Sequence, residues 1–167
     1  KEFSIIPIQT FLKQLSKELN LTKIEYRSFM GIHTFFLYKD KEILKIDFNF
    51  YPFPRIERGE NFEGLSIDSL HDIAVNKLQT IATKPRSRDF IDLYFIIQKT
   101  GWDVETLRKE ARIKFDWYID SLKLGAQLLL ADEVKDYPRL IEILPEKDWQ
   151  AFFKKEAKKL GQEIIEK

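Results

Sequence analysis

A chain of 167 residues, 44% hydrophobic and 33% charged, has the size and mix of one globular domain or two very small ones, and its fourteen Phe, six Tyr and three Trp exclude a disordered chain. The absence of cysteine excludes disulfides, thiolate metal sites and cysteine nucleophiles, and two histidines cannot build a three-histidine zinc site. A net charge of +1 confines any nucleic-acid contact to a local patch. No apolar run approaches the ~18 residues of a membrane span and nothing resembles a signal peptide, so a soluble, cytoplasmic protein without a membrane partner is expected.

The first twenty residues predict a helix. Ser4 can cap it, Pro7 suits its first turn, and Ile8, Phe11, Leu12, Leu15 and Leu19 fall at helical spacing. From Thr22 the period becomes two, with Ile24, Tyr26 and Ser28 alternating with charged neighbours. His33–Tyr38 predicts a second strand and the polar run Lys39–Glu42 a hairpin loop. Ile43–Tyr51 predicts a third strand, with Leu44, Ile46, Phe48 and Phe50 on one face and Lys45, Asp47 and Asn49 on the other, ended by Pro52 and Pro54. Leu65–Ile67 could add a short edge strand. Asp68 or Ser69 then caps a helix to about Thr83. A basic loop, Lys84-Pro-Arg-Ser-Arg88, leads into a helix from Arg88 to Thr100 that stops at Gly101. Further helices are expected from Asp103 to about Phe115, from Trp117 to about Leu130, and from Pro145 onward. The charges of the last one, Lys154, Lys155, Lys158 and Lys159 among acids, predict a solvated face. The fold class is therefore α+β. A small mixed or antiparallel sheet occupies residues 1–67 and an all-helical part residues 68–167, packed as one compact body.

Three residues break their local pattern. Lys77 lies in the apolar stripe Leu70, Ile73, Ala74, Leu78, Ile81, so it must snorkel, pair or face a cleft. Asp92 is the one polar position in Phe90–Ile97, which predicts a buried carboxylate needing a cation; Lys77 and Arg88 are candidates. Asp89, one turn earlier, can face the same place or simply mark the helix start. Asp47 points away from the apolar side of its strand, as an ordinary solvent-facing residue would. Lys84, Arg86 and Arg88 form a loop that can grip phosphate or be a solvated turn. His33 and His71 have no metal-ligand spacing and read as surface or packing residues. No Walker-type loop, Gly-x-Ser-x-Gly elbow or His-Glu-x-x-His is present.

Taken together, Lys-Ile-Asp47-Phe-Asn-Phe-Tyr-Pro-Phe-Pro, then Phe62-Glu-Gly-Leu, then Ser69-Leu-His-Asp-Ile-Ala-Val-Asn-Lys77-Leu, then Arg88-Asp89-Phe-Ile-Asp92-Leu-Tyr-Phe resemble the AbiEii-type nucleotidyltransferases, toxins of type IV toxin–antitoxin and phage abortive-infection systems. The resemblance covers about residues 1–115. It implies a polymerase-β-like nucleotidyltransferase core, a nucleoside triphosphate substrate, Mg²⁺, an RNA acceptor such as transfer RNA, and a separate antitoxin protein. Residue by residue, it makes Asp47 a metal-binding carboxylate and Lys77 a contact to the triphosphate. Arg86 and Arg88 become flanking nucleotide-binding cations, and Asp89 and Asp92 the acids of the last motif, with Asp92 as base or site organiser.

The family opens with a Gly-Gly or Gly-Ser turn followed by Asp-x-Asp, and neither occurs in this chain. The resemblance begins at the helix that follows that pair, where Lys1 stands. The first expectation is a fragment lacking its opening strands. The alternatives are an upstream segment outside this numbering, or a shortened, non-catalytic relative that binds protein or RNA. A fragment or a shortened relative would not catalyse alone, since one carboxylate does not hold two metal ions. A plain helical binding domain, with Lys77–Asp92 as a structural pair, is the remaining reading.

Overall fold

The computed structural model describes residues 4–165, with side chains described as far as Gln162; Lys1 lies outside the described residues. The chain forms two compact units, Lys1–Pro52 and Phe53–Lys167.

In the first unit, α1 (Ile6–Glu18) precedes β1 (Lys23–Phe29), β2 (Ile32–Lys39) and β3 (Glu42–Phe48), an antiparallel meander in the order β1-β2-β3. Pro7 sits in the first turn of α1 as expected, but Ile5 is the N-cap and no side chain caps the helix, so Ser4 does not play that part. Met30 and Gly31 both have positive φ, 49° and 76°, the backbone of a two-residue hairpin turn whose twist matches its strands. Alternation sends Phe35 and Leu37 onto Leu12 of α1, with Ile8, Leu15, Ile24, Ile46 and Phe48 around them. The opposite face carries Thr34, Phe36 and Tyr38 beside Asp47, Lys45 and Ile43. β3 ends three residues earlier than its alternating pattern. The ladder's last pair is His33↔Phe48, because β2 turns back into β1 at Gly31, and Phe50 lies beyond it, exposed. Leu44 is also exposed, at the fringe of a small core.

The second unit opens with an irregular segment holding the hairpin β4 (Asn61–Phe62) and β5 (Leu65–Ser66). Gly59 is obligatory there, since a Cβ would lie 1.8 Å from the Ile67 carbonyl oxygen. The helices follow: α2 (Leu70–Thr83), α3 (Ser87–Thr100), α4 (Val104–Phe115), α5 (Ser121–Leu129) with a 3₁₀ turn at Leu130–Asp132, and α6 (Glu146–Ile165). Their starts and stops have local causes. Ser69 accepts from the Asp72 N–H, Asp103 from the Thr106 N–H and Asp120 from the Lys123 N–H, while Gly101 closes α3 in the left-handed conformation. The helix expected from Trp117 starts only at Ser121. Asp116 takes a left-handed conformation that ends α4, and the Asp120 cap fixes the next start. One core joins Val75, Leu78, Phe90, Leu93, Leu107, Leu124, Leu128, Trp149 and Phe153. The lysines of α6 face solvent as expected.

The units divide at Pro52/Phe53, fifteen residues before the division read from the sequence. The cause is a set of bonds made by residues 53–68 within the helical unit. The Phe53 and Phe115 rings lie 4.8 Å apart, Arg55 Nε donates to Asp68 at 2.7 Å, and the N–H groups of Ile56 and Glu57 donate to Asp72. No described helix is long and apolar enough to cross a membrane.

Candidate functional site

The loop joining α2 to α3 brings four of the six sequence-selected residues into one network. Lys77 projects from the apolar stripe of α2 and remains partly exposed, because its ammonium reaches the start of α3. There Lys77 Nζ donates to Asp89 Oδ1 at 3.0 Å and lies 2.5 Å from Asp92 Oδ2. The other oxygen of Asp89 accepts from Arg86 Nε at 2.7 Å. Asp89 is therefore shared by two cations, and Lys77 by two carboxylates.

The apolar run Phe90–Ile97 suggests a buried Asp92, and the structure corrects this. The Asp89 side chain is 1% exposed, whereas that of Asp92 is 48% exposed. Arg88, Asp92 and Lys99 form an open stripe along α3 at helical spacing, with Phe95 only half-buried between them. Tyr94 and Phe95 make the helix look apolar all round, although it packs through Phe90, Ile91, Leu93, Ile96 and Ile97. Asp89 is the anchor and Asp92 the acid that meets solvent.

Arg88 and Lys84 are exposed at the same loop. Arg88 makes no ion pair among the described residues and acts through space on Asp136. Burial works to raise the Asp136 carboxyl, but Ser87, which donates its N–H at 2.8 Å and its hydroxyl at 2.9 Å, holds it below the ordinary value together with Arg88. This carboxylate satisfies an N-terminal N–H of α3 that no neighbouring side chain caps.

Asp47 belongs to the first unit. Its Oδ2 accepts from Lys45 Nζ at 2.7 Å and its Oδ1 from Thr34 Oγ1 at 2.6 Å. Those bonds, Lys45 first, hold its carboxyl below the usual range. His33 bonds Tyr26, and His71 stacks on Trp102 and bonds Glu110 at 2.7 Å, the packing roles expected of them.

One pair went unnoticed in the sequence. Asp72 and Lys114 are both almost fully buried, 2.6 Å apart. Burial pushes the Asp72 carboxyl up, but Lys114, the Ile56 N–H, the Ser69 hydroxyl and the Glu57 N–H together outweigh it and bring it down to about 2. Two signals were available. Ser69-x-x-Asp72 is a helix-start pattern, and Lys114 continues the stripe Leu107, Ala111 just as Lys77 interrupts its own.

Mg²⁺ prefers oxygen ligands with open lone pairs. Among the described residues no group of three or more Asp, Glu or His could hold a metal ion. The oxygens of Asp47 are engaged by Lys45 and Thr34, and those of Asp89 by Lys77 and Arg86. These donors do not by themselves fit a magnesium pair.

Residues 8–163 match the family described as the nucleotidyl transferase AbiEii toxin of type IV toxin–antitoxin systems. The chain belongs to this family. A protein of Aquifex aeolicus (strain VF5), aq_aa25, described as uncharacterized, is 35% identical over a stretch covering 47% of this chain and 43% of its own length. The chain thus matches less than half the length of that curated relative. Two solved Helicobacter pylori structures, one described as a candidate nucleotidyltransferase and the other as JHP933, each superpose with a TM-score of 0.50 at 18% identity. Each covers 87% of this chain, matching 68% and 66% of their own lengths. At that identity the likeness speaks for the α+β fold.

Proposed function

We propose that this protein is a cytoplasmic nucleotidyltransferase toxin that moves a nucleotide from a nucleoside triphosphate to an RNA acceptor, transfer RNA in particular, and is restrained by a separate antitoxin protein. The observation that carries the reading is Lys77 held between Asp89 and Asp92, with Arg86 on the far oxygen of Asp89. Phosphoryl-group chemistry is mostly positioning and charge neutralisation, which suits a lysine fixed by a buried acid. Asp89 keeps Lys77 and Arg86 in place. An incoming triphosphate competes with the exposed Asp92 for Lys77, and Arg88 and Lys84 add charge from the same loop. The acceptor oxygen then bonds to the α-phosphorus, the bond to the bridging oxygen breaks, pyrophosphate leaves and the hydroxyl proton passes to Asp92. The resemblance also makes Asp47 a magnesium ligand; the donors described above do not complete such a site, and no step is assigned to it.

The test is label transfer from each of the four α-labelled nucleoside triphosphates to total transfer RNA, in magnesium buffer. Transfer is expected with at least one nucleotide, with a fall of about 100-fold or more in Lys77→Ala. Full activity in that variant would sink the reading. The engaged oxygens of Asp47 and Asp89 favour a second reading, a non-catalytic relative that binds RNA or protein. Absence of transfer with every nucleotide, alongside retained RNA or protein binding, would select it.

A further inference from the structure

The linker between α4 and α5 exposes two large aromatic side chains that neither the core nor the Lys77 network uses. Trp117 is 54% and Tyr118 57% exposed, and both rings sit under cations. The Arg112 guanidinium lies 5.2 Å from the Tyr118 ring centroid and the Lys123 ammonium 6.0 Å from that of Trp117.

The linker is built to hold these rings out. Asp116 turns the chain sharply at the end of α4 through its left-handed conformation. Three residues on, Ile119 is 3% exposed and anchors the linker in the core. Arg108, itself held by both oxygens of Glu105, donates to the Ile119 carbonyl at 2.8 Å, and the Asp120 cap fixes the far end. Both ends being pinned, little conformational entropy is lost when something stacks on the rings.

The charges around the rings are available to a ligand. Among the described residues neither Arg112 nor Lys123 makes an ion pair, and both are exposed. Lys109 is 70% exposed and makes only a 3.6 Å contact to Glu105. The acids nearby are committed: Glu105 to Arg108, and Asp120 to the Lys123 N–H. Asp116 remains as the exposed negative charge of the turn. Rings that offer a π-face, interleaved with exposed cations, are the chemistry that takes unpaired bases and their phosphates, while a duplex hides its base faces.

We propose that Trp117 and Tyr118, with Arg112, Lys123 and Lys109, form a docking surface for single-stranded nucleic acid. Two bases stack on the rings and the cations follow the backbone. The surface stands apart from the transfer reading, because binding is read without turnover. Failure here leaves label transfer by the Lys77 network unaffected, and failure of transfer leaves this surface unaffected.

The experiment is fluorescence anisotropy of the whole chain with labelled 12-nucleotide RNA and DNA single strands, and with an RNA duplex of the same sequence. Tryptophan emission is followed in parallel. Of the three tryptophans, Trp149 is buried and Trp102 is stacked on His71, so quenching reports Trp117. Either single strand, or both, should bind at least about tenfold more tightly than duplex and quench emission. Trp117→Ala/Tyr118→Ala should weaken binding about tenfold or more, and Trp117→Phe/Tyr118→Phe should retain it. Arg112→Gln/Lys123→Gln, which leaves the buried residues untouched, should lower the salt dependence by about 0.7 in slope for each cation removed. If the alanine pair unfolds, as read by thermal melting, the phenylalanine and glutamine variants decide. Binding to neither strand, equal binding of duplex without quenching, a salt slope unchanged by the glutamine pair, or self-association of the chain lost in the phenylalanine or alanine variants would each overturn the proposal.

Discussion

Two lysine–aspartate associations hang on α2 and differ above all in access. Lys114 and Asp72 are sealed, with side chains 1% and 0% exposed, and they tie the start of α2 to the end of α4 and to the backbone of Ile56 and Glu57. Lys77 shares itself between a sealed acid, Asp89, and an open one, Asp92. Both lysines interrupt apolar helical stripes, and both look alike in the sequence. A sealed ion pair cannot exchange a partner for an incoming anion without opening the core, whereas the Lys77–Asp92 pair lies at a solvent edge, where the proposed triphosphate would compete for the lysine. Under the proposed transfer reading, what separates Lys77 from Lys114 is one exposed, exchangeable partner, not the ion pair as such.

The largest effect expected from this contrast is at the sealed pair. Lys114→Met leaves Asp72 buried without its cation, a change that costs about 3–5 kcal/mol. Urea unfolding measures it. A cost below about 1 kcal/mol would show that the pair is not sealed and would erase the contrast. The same pair predicts acid sensitivity. The carboxyl of folded Asp72 sits at about 2, below the ordinary 3.8, so folding favours the ionised form. Its contribution, about 2 kcal/mol, is complete above pH ~4 and is lost as pH falls through 4 toward 2. Unfolding followed from pH 5 to pH 2 should show stability falling over that interval. In Lys114→Met the fall should shrink or vanish, because without its cation burial raises the folded Asp72 carboxyl back toward the ordinary value.

The sequence carried this contrast unevenly. Lys77 is legible because a lysine inside Leu70, Ile73, Ala74, Leu78, Ile81 has to snorkel, pair or face a cleft, and the pattern alone does not choose among the three. Lys114 obeyed the same rule beside Leu107 and Ala111, but its position at the end of a highly charged helix disguised it. Asp89 and Asp92 are legible as a pair, yet the pattern points to burial of Asp92, whereas Asp89 is the buried acid. Composition alone does not show which side of α3 packs, and the half-buried Tyr94 and Phe95 hid its open stripe. The meander and the helices followed from periodicity and caps. The start of α5 did not, because it depends on the left-handed turn at Asp116 and on the Asp120 cap rather than on the apolar pattern. The place of residues 53–67 could not be read either, since it rests on long-range bonds to Asp68, Asp72 and Phe115.

Smaller effects sharpen the contrast inside the open network. Asp89→Asn removes the charge that Lys77 and Arg86 share, and should cost about 1–2 kcal/mol in urea unfolding, because a buried charge-assisted bond is lost at unchanged volume. Label transfer should fall with it, as both cations lose their anchor. A variant as stable as the parent would show that Asp89 does not position them.

Asp92→Asn should be the gentlest change to the fold and, under the transfer reading, still a severe one to activity. The side chain is 48% exposed, so its pairing with Lys77 is weak in stability terms, and the expected loss in urea unfolding is about 0.5 kcal/mol or less. Asparagine keeps the shape and offers Lys77 a carbonyl oxygen, but it accepts no proton at neutral pH. If Asp92 takes the acceptor's proton, transfer should fall about 100-fold or more with unfolding unchanged. If Asp92 is only the counterion that a triphosphate displaces, the neutral variant should bind nucleotide more tightly and lose little rate. Titration with a non-hydrolysable nucleotide beside the rate measurement separates these two roles. An Asp92→Asn chain that loses several kcal/mol of stability while keeping its rate would place Asp92 with Asp72, among the residues that hold the helices together.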